Sequence, residues 1–148
     1  MKALLQRVKS ASVEVAGETV GAIDTGLLVL LGLDKGDDLA IAQRMIEKLL
    51  AYRVFSDGQG KMNCSVRDIS GGVLLVSQFT LSADTQKGLR PSFSSAMPPA
   101  EAERLYTQML QILQDSHTPV AAGVFAADMQ VSLVNDGPVT FLLEIAPG

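Results

Sequence analysis

Two apolar stretches decide how this chain folds: residues 27–33 read LLVLLGL and residues 73–81 read VLLVSQFTL. Runs this short and this uniformly apolar suit strands covered on both faces, as in a sheet with helices packed against it. Outward from each, the hydrophobic period changes. After the first, Asp37 and Asp38 offer a helix N-cap, and Ala42, Met45, Ile46, Leu49 and Leu50 recur at helical spacing, which predicts a helix over about residues 38–53. After the second, residues 82–97 are polar and irregular, a long loop of the kind that is often functional in a small domain. Pro98 and Pro99 then suit the first turn of another helix. Glu101 and Glu103 lie near its positive end, and Ala102, Leu105, Tyr106, Met109, Leu110 and Leu113 form its apolar stripe, to about Ser116.

The flanks are β-prone. Residues 4–8, 12–15 and 19–23 read as an opening meander with a hairpin turn at Gly17 and Glu18, and residues 120–125, 129–134 and 139–145 as three closing strands. Residues 56–63, with Gly58 and Gly60, read as a loop. There is no internal repeat or low-complexity segment. The order predicts one α/β domain over residues 1–148, in three layers: two helices packed on a mixed sheet that a second sheet backs.

Composition narrows the function classes. Of the 148 residues, 47% are hydrophobic and 19% charged, a globular balance without a disorder signature. No apolar run approaches the roughly 18 to 20 residues of a membrane span, and the first ten residues lack a secretory pattern, so the cytoplasm is expected. Cys64 is the only cysteine and His117 the only histidine, which leaves no ligand set for a zinc site and only one candidate for a histidine-based triad. His117 stands where the second helix should end, a place where it can simply meet the negative end of the dipole. The net charge of −4 is uneven: residues 1–95 carry +1 and residues 96–148 carry −5. A phosphate-facing surface would come from the first part, with Lys2, Arg7, Lys9, Lys61, Arg67, Lys87 and Arg90 as candidates.

Two segments sit oddly for pure structure. In Ser77, Gln78, Phe79, Thr80 and Leu81, strand alternation would put Gln78 and Thr80 on one face, where Gln78 could donate to a carbonyl or oxyanion and Thr80 could donate or act as a nucleophile. The plain alternative is a strand end turning polar at solvent. In residues 135–141, NDGPVTF, the turn residues suggest a hairpin loop. Yet Pro138 opens a strand, where a cis Gly137–Pro138 bond could hold two consecutive carbonyls outward as a rigid wall.

Together these segments resemble the two signature motifs of the bacterial and eukaryotic D-aminoacyl-tRNA deacylases. QRVK at residues 6–9 and RPSF at residues 90–93 are similar too, so the resemblance spans the chain. It implies hydrolysis of the ester joining a D-amino acid to the terminal ribose of tRNA, by a homodimer needing no cofactor or metal. Ser77, Gln78, Phe79 and Thr80 would line the pocket, the last three carrying the chemistry. Gly137 and Pro138 would enter from the partner subunit as a cis pair that rejects L-aminoacyl-tRNA, with Arg7 holding it. Phe125 and Met129 would lie near the terminal adenosine. Glycyl-tRNA, with hydrogen in both positions, is expected to be cleaved as well. Without a triad, catalysis would rest on positioning and on backbone amides near Phe79 and Thr80 stabilising the oxyanion, the neighbouring ribose hydroxyl helping to activate water. Covalent attack by Thr80 is the competing route, for which the sequence offers no evident base. The rivals from other classes are a non-catalytic nucleic-acid or nucleotide binding module and a small-molecule hydrolase unrelated to tRNA.

Overall fold

The computed structural model describes residues 1–147. Its first element, β1 (Lys2–Val15), is one long strand where two short ones were expected. The two halves of β1 differ in partner on one edge. Residues 2–8 pair antiparallel with β3 (Gly26–Gly32), whereas residues 11–15 pair with β2 (Glu18–Ile23). The hairpin between β1 and β2 turns at Ala16 and Gly17, both with positive φ, one residue earlier than the sequence suggested.

Downstream of β3 come α1 (Leu39–Ala51), the short strands β4 (Phe55–Ser56) and β5 (Met62–Cys64), and β6 (Gly72–Ser77). The strand β6 lies parallel to β3, as a crossover through α1 requires, and β7 (Val120–Ala122) lies parallel to β6 after the second crossover through α2 (Pro99–Ser116). Along the free edge of β1 runs β8 (Gln130–Glu144), antiparallel. Residues 56–63, expected as plain loop, instead contain a small β4–β5 hairpin tied by the Asp57 carboxylate, which accepts from the backbone N–H of Gln59 and Lys61 and from Asn63 Nδ2.

The layering follows from where the apolar side chains meet. Ile41, Ala42, Met45, Ile46, Leu49 and Leu50 of α1, with Ala102, Leu105, Tyr106, Met109 and Leu113 of α2, pack on one face of the sheet with Leu5, Leu27, Val29, Leu31, Val73 and Leu75. Burying each of the larger side chains is worth about 1.5–3 kcal/mol. The opposite face is closed by the sheet curling over itself: Val8, Ala11, Val13 and Ile23 meet Leu28, Leu74 and Val76. At this fold-over β2 crosses β7 so closely that a Cβ on Gly21 would lie 2.5 Å from the Ala122 carbonyl oxygen. The protein is thus an α/β domain with two helices on a mixed sheet, its backing layer continuous with that sheet through β1.

The α1 cap belongs to Asp38, whose Oδ1 accepts from the Ile41 N–H at 2.9 Å. Asp37 does something else. It is buried beside the Met1 amino group, 3.0 Å from it, and its Oδ2 accepts from the Asp34 N–H at 2.8 Å.

Candidate active site

A cavity of about 600 Å³ opens between the ends of β3 and β6, the start of α2 and the loop from β7 to β8. Its lining is mostly apolar: Leu31, Leu33, Phe79, Phe93, Met97 and Phe125 among others, with Ser77, Gln78 and Thr80 as the polar contribution of the β6 exit.

That exit is not the strand the sequence suggested. The strand β6 stops at Ser77, and Phe79–Ser82 form a short 3₁₀ turn. The cause is on the neighbouring strand. A Cβ on Gly32 would come within 2.8 Å of Leu81 Cβ and 3.1 Å of Ser82 Oγ, so only glycine lets the turn fold back onto the end of β3. The turn is then fastened by the Gln78 N–H donating to the Leu31 carbonyl at 2.7 Å and by buried Ser82 Oγ donating to the Leu33 carbonyl at 3.2 Å. Gln78 and Thr80 therefore meet through a turn rather than by strand alternation, Gln78 Nε2 donating to Thr80 Oγ1 at 3.0 Å.

The turn has a chemical consequence. A helical turn leaves its first N–H groups without an internal partner, and here the first internal bond is donated by Leu81. Among the described residues the N–H groups of Phe79 and Thr80 donate to nothing, although both residues line the cavity. Phe79 is exposed and its ring lies 5.0 Å from that of Phe93, a tilted pair at the cavity wall. Among the described residues no carboxylate or imidazole lines the cavity to accept the Thr80 proton, and Lys35 is the one charged residue that does line it.

Phe125 and Met129 also border the cavity, from the loop after β7. Phe125 is held against Tyr106, ring centroids 5.9 Å apart. The Tyr106 hydroxyl donates to the Leu75 carbonyl at 2.8 Å, and burial pushes its pKa up to about 12, so it serves as a fixed donor.

Gly137, Pro138 and Arg7 do not line this cavity. Residues 136–139 form a bulge within the single strand β8, which pairs with β1 on both sides of it: Asn135 lies opposite Val8 and Thr140 opposite Gln6. The expected pair of strands joined by a hairpin loop is thus one strand with an excursion, because β1 is long enough to pair with both parts. The Gly137–Pro138 bond is cis, as is Thr118–Pro119. The bulge is fastened on every side. Arg7 Nε donates to the Asp136 carbonyl at 2.9 Å and Arg7 Nη1 to the Val54 carbonyl at 2.8 Å. Asn135 Oδ1 accepts from the Val139 N–H at 2.8 Å, and Asn135 Nδ2 donates to Thr140 Oγ1 at 2.9 Å. Gly137 has φ +136°, and a Cβ there would lie 2.7 Å from Val139 Cγ2 and 3.2 Å from Arg7 Nη2. Gly137 and Pro138 remain exposed.

His117 caps α2, its Nε2 2.6 Å from the Gly71 carbonyl oxygen, and it borders a separate open hollow rather than the main cavity. Among the described residues no three His, Cys, Asp or Glu side chains gather as a metal site, and no helix is long and apolar enough to cross a membrane.

The described residues thus form an α/β fold with a mostly apolar cavity and two unpaired backbone donors on residues of its wall. Comparison with known proteins makes this specific. The family model described as D-Tyr-tRNA(Tyr) deacylase matches residues 4–144. The chain is 66% identical over 144 residues to the D-aminoacyl-tRNA deacylase of Stutzerimonas stutzeri (strain A1501), covering 97% of this chain and 99% of that one. It is 63% identical over 145 residues to the D-aminoacyl-tRNA deacylase of Pseudomonas putida (strain W619), covering 98% and 100%. Among solved structures it superposes on the c-Myc DNA Unwinding Element Binding Protein with TM-score 0.94 at 44% identity, covering 99% of each chain. A probable eukaryotic D-amino acid tRNA deacylase shares the fold, with TM-score 0.85 at 14% identity over 97% and 98% of the chains. The chain belongs to the D-Tyr-tRNA(Tyr) deacylase family.

Proposed function

We infer that the protein hydrolyses the ester between a D-amino acid and the terminal ribose of tRNA, in the cytoplasm. The observation that carries the mechanism is the pair of unpaired N–H groups on Phe79 and Thr80, two residues of the cavity wall. Water adds to the ester carbonyl, the tetrahedral oxyanion takes those two hydrogen bonds, and the bond to the ribose oxygen breaks, releasing free tRNA and the D-amino acid. Preorganised backbone donors of this kind supply roughly 2.7–4 kcal/mol each. The neighbouring ribose hydroxyl helps activate the water. Thr80 acts as a lining and hydrogen-bonding residue, since its Oγ1 already accepts from Gln78 and no base lines the cavity. Phe125 and Met129 take the terminal adenosine.

Chirality is read by a second copy of the chain. One chain keeps the Gly137–Pro138 bulge outside its own cavity, while β8 beside the bulge exposes Val131, Leu133, Val134, Phe141 and Leu142. Two copies joined along this apolar edge cover it and bring each bulge to the other copy's cavity. With the amino group and ester carbonyl anchored, an L side chain would point at the Gly137 and Pro138 carbonyls where the D-form points only hydrogen. Selection then works by rejection and needs no contact with the D side chain.

The test is a panel of substrates. D-Tyr-tRNA, D-Asp-tRNA and Gly-tRNA are cleaved, and L-Tyr-tRNA and L-Ala-tRNA survive under the same conditions. Resistance of Gly-tRNA alongside cleavage of D-Tyr-tRNA would overturn the rejection account. A monomer by sedimentation that is fully active would overturn the shared site.

The second reading is a nucleic-acid binding module without catalysis, favoured by the likeness, at 44% identity, to the c-Myc DNA Unwinding Element Binding Protein. The acidic balance of residues 96–148 weighs against it. Release of free tRNA from D-Tyr-tRNA separates the two.

A further inference from the structure

We propose that Lys35 is a substrate-positioning residue that binds the 5′-phosphate of the terminal adenosine, and so fixes which way the substrate lies in the cavity. The proposal rests on the deacylase reading above. Among the described residues Lys35 is the one charged side chain on this mostly apolar wall; it is exposed, and no ion pair or hydrogen bond engages its Nζ. Its backbone is fixed on both sides. The Asp37 N–H donates to the Asp34 carbonyl at 3.1 Å across a turn with Gly36 at φ +89°, and the Lys35 N–H donates to the Ser95 carbonyl at 2.9 Å. Asp34 and Asp37 are in turn tied to the Met1 amino group, at 3.1 and 3.0 Å. A flexible cation thus stands on a braced turn at the wall, without a partner of its own.

The substrate has two charged ends. The aminoacyl end carries an α-ammonium group, which a lysine repels; the nucleotide end carries the phosphate that joins it to the preceding nucleotide. A lysine at the wall therefore takes the phosphate, while the ester is held by the N–H groups of Phe79 and Thr80. Lys35 is not among the seven cations the sequence offers for phosphate contact, and its neighbours Asp34, Asp37 and Asp38 make residues 34–38 net acidic, which weighs against phosphate binding there. The structure removes that objection by engaging Asp34 and Asp37 with the Met1 amine and Asp38 with the α1 N-terminus.

The experiment compares kcat/KM for two small esters, 3′-O-D-tyrosyl-adenosine 5′-phosphate and 3′-O-D-tyrosyl-adenosine, with the wild type, Lys35→Met and Lys35→Arg, alongside D-Tyr-tRNA. The wild type should favour the phosphorylated ester by about fivefold, the upper range of a partly exposed ion pair. Lys35→Met should abolish that preference through KM, leave the ester without phosphate within twofold of wild type, and lose about fivefold on D-Tyr-tRNA. Lys35→Arg should keep the preference, and raising ionic strength should erode it in the wild type and in Lys35→Arg while changing nothing in Lys35→Met. Equal losses on both esters, or a preference that survives in Lys35→Met, overturn the assignment while leaving the deacylase reading intact. A wild type that leaves D-Tyr-tRNA uncleaved overturns the deacylase reading, and the Lys35 role with it.

Discussion

The β6 exit and the β8 bulge are both short polar interruptions of an apolar strand, and the fold treats them in opposite ways. At residues 77–82 the strand ends, and the turn that follows leaves two N–H groups and a threonine hydroxyl at the cavity wall. At residues 135–140 the strand continues, and Arg7 and Asn135 fasten the excursion at the Asp136 carbonyl, the Val139 N–H and the Thr140 hydroxyl. One segment offers free hydrogen-bonding groups, the other a fixed shape. A site that works by positioning and rejection needs both, the first toward the reacting atoms and the second toward the wrong mirror image.

The comparison breaks most severely on the shape side. Arg7→Ala removes the donors to Asp136 and Val54 carbonyls and leaves the bulge without its brace. Displacing a positioning element by about 1 Å costs on the order of 10²-fold in rate, so kcat/KM for D-Tyr-tRNA should fall by about that factor while the cavity itself is unchanged. Arg7→Lys should not rescue it, since an ammonium cannot reproduce the two-directional guanidinium fork. Activity within threefold of wild type would show that the β1 pairing and the Asn135 hydrogen bonds hold the bulge without Arg7.

On the turn side the largest effect comes from a residue outside the cavity. Gly32→Ala forces a Cβ to within 2.8 Å of Leu81 Cβ, between backbone elements that cannot both yield. Overpacking of this kind costs about 1–3 kcal/mol, and the displaced turn should lower kcat by roughly tenfold. A variant with reduced melting temperature and unchanged kcat would separate the turn from catalysis. A smaller loss is expected of Thr80→Ala, which gives up the Gln78 hydrogen bond but keeps the backbone N–H. About 0.5–1.5 kcal/mol, tenfold at most, is the expected cost. Complete inactivity with a trapped acyl-enzyme in the wild type would establish covalent catalysis instead.

These residues also mark where sequence reading succeeds and where it stops. Residues 27–33 and 73–76 announce buried strands by composition, and the stripes of α1 and α2 announce their buried faces, because burial imposes a period that the sequence must carry. The break at Ser77 is invisible there: its cause is the missing Cβ of Gly32, some 45 residues earlier in sequence and adjacent only in the folded sheet. The same holds for β1 and β8. Each reads as two short strands around polar residues, and each is one strand because the other is long enough to pair past the interruption. Lys35 carries no mark in the sequence either: it stands among carboxylates whose partners, the Met1 amine and the α1 N-terminus, only the fold reveals.

The smallest expected effect tests the brace beneath that lysine. Burial alone would raise the Asp34 pKa, but the nearby Ser82 side chain, the hydrogen bond and charge of the Met1 amine and the hydrogen bond from Lys2 outweigh it and hold the carboxyl below its ordinary value. A carboxyl whose pKa is lowered on folding adds stability that is fully present above its unfolded pKa and is lost as pH falls through the folded one. Asp34→Asn should therefore lower the melting temperature at pH 7, and the gap to wild type should narrow as the pH drops below about 4. Asp37 keeps its own contact with the Met1 amine in this variant, so that cation is not stranded, and the difference at neutral pH should stay below about 3 °C. A gap that stays constant down to pH 3 would mean that the charge of Asp34 contributes nothing. The turn carrying Lys35 would then be held by its backbone bonds to Asp37 and Ser95 and by the Asp37 carboxylate.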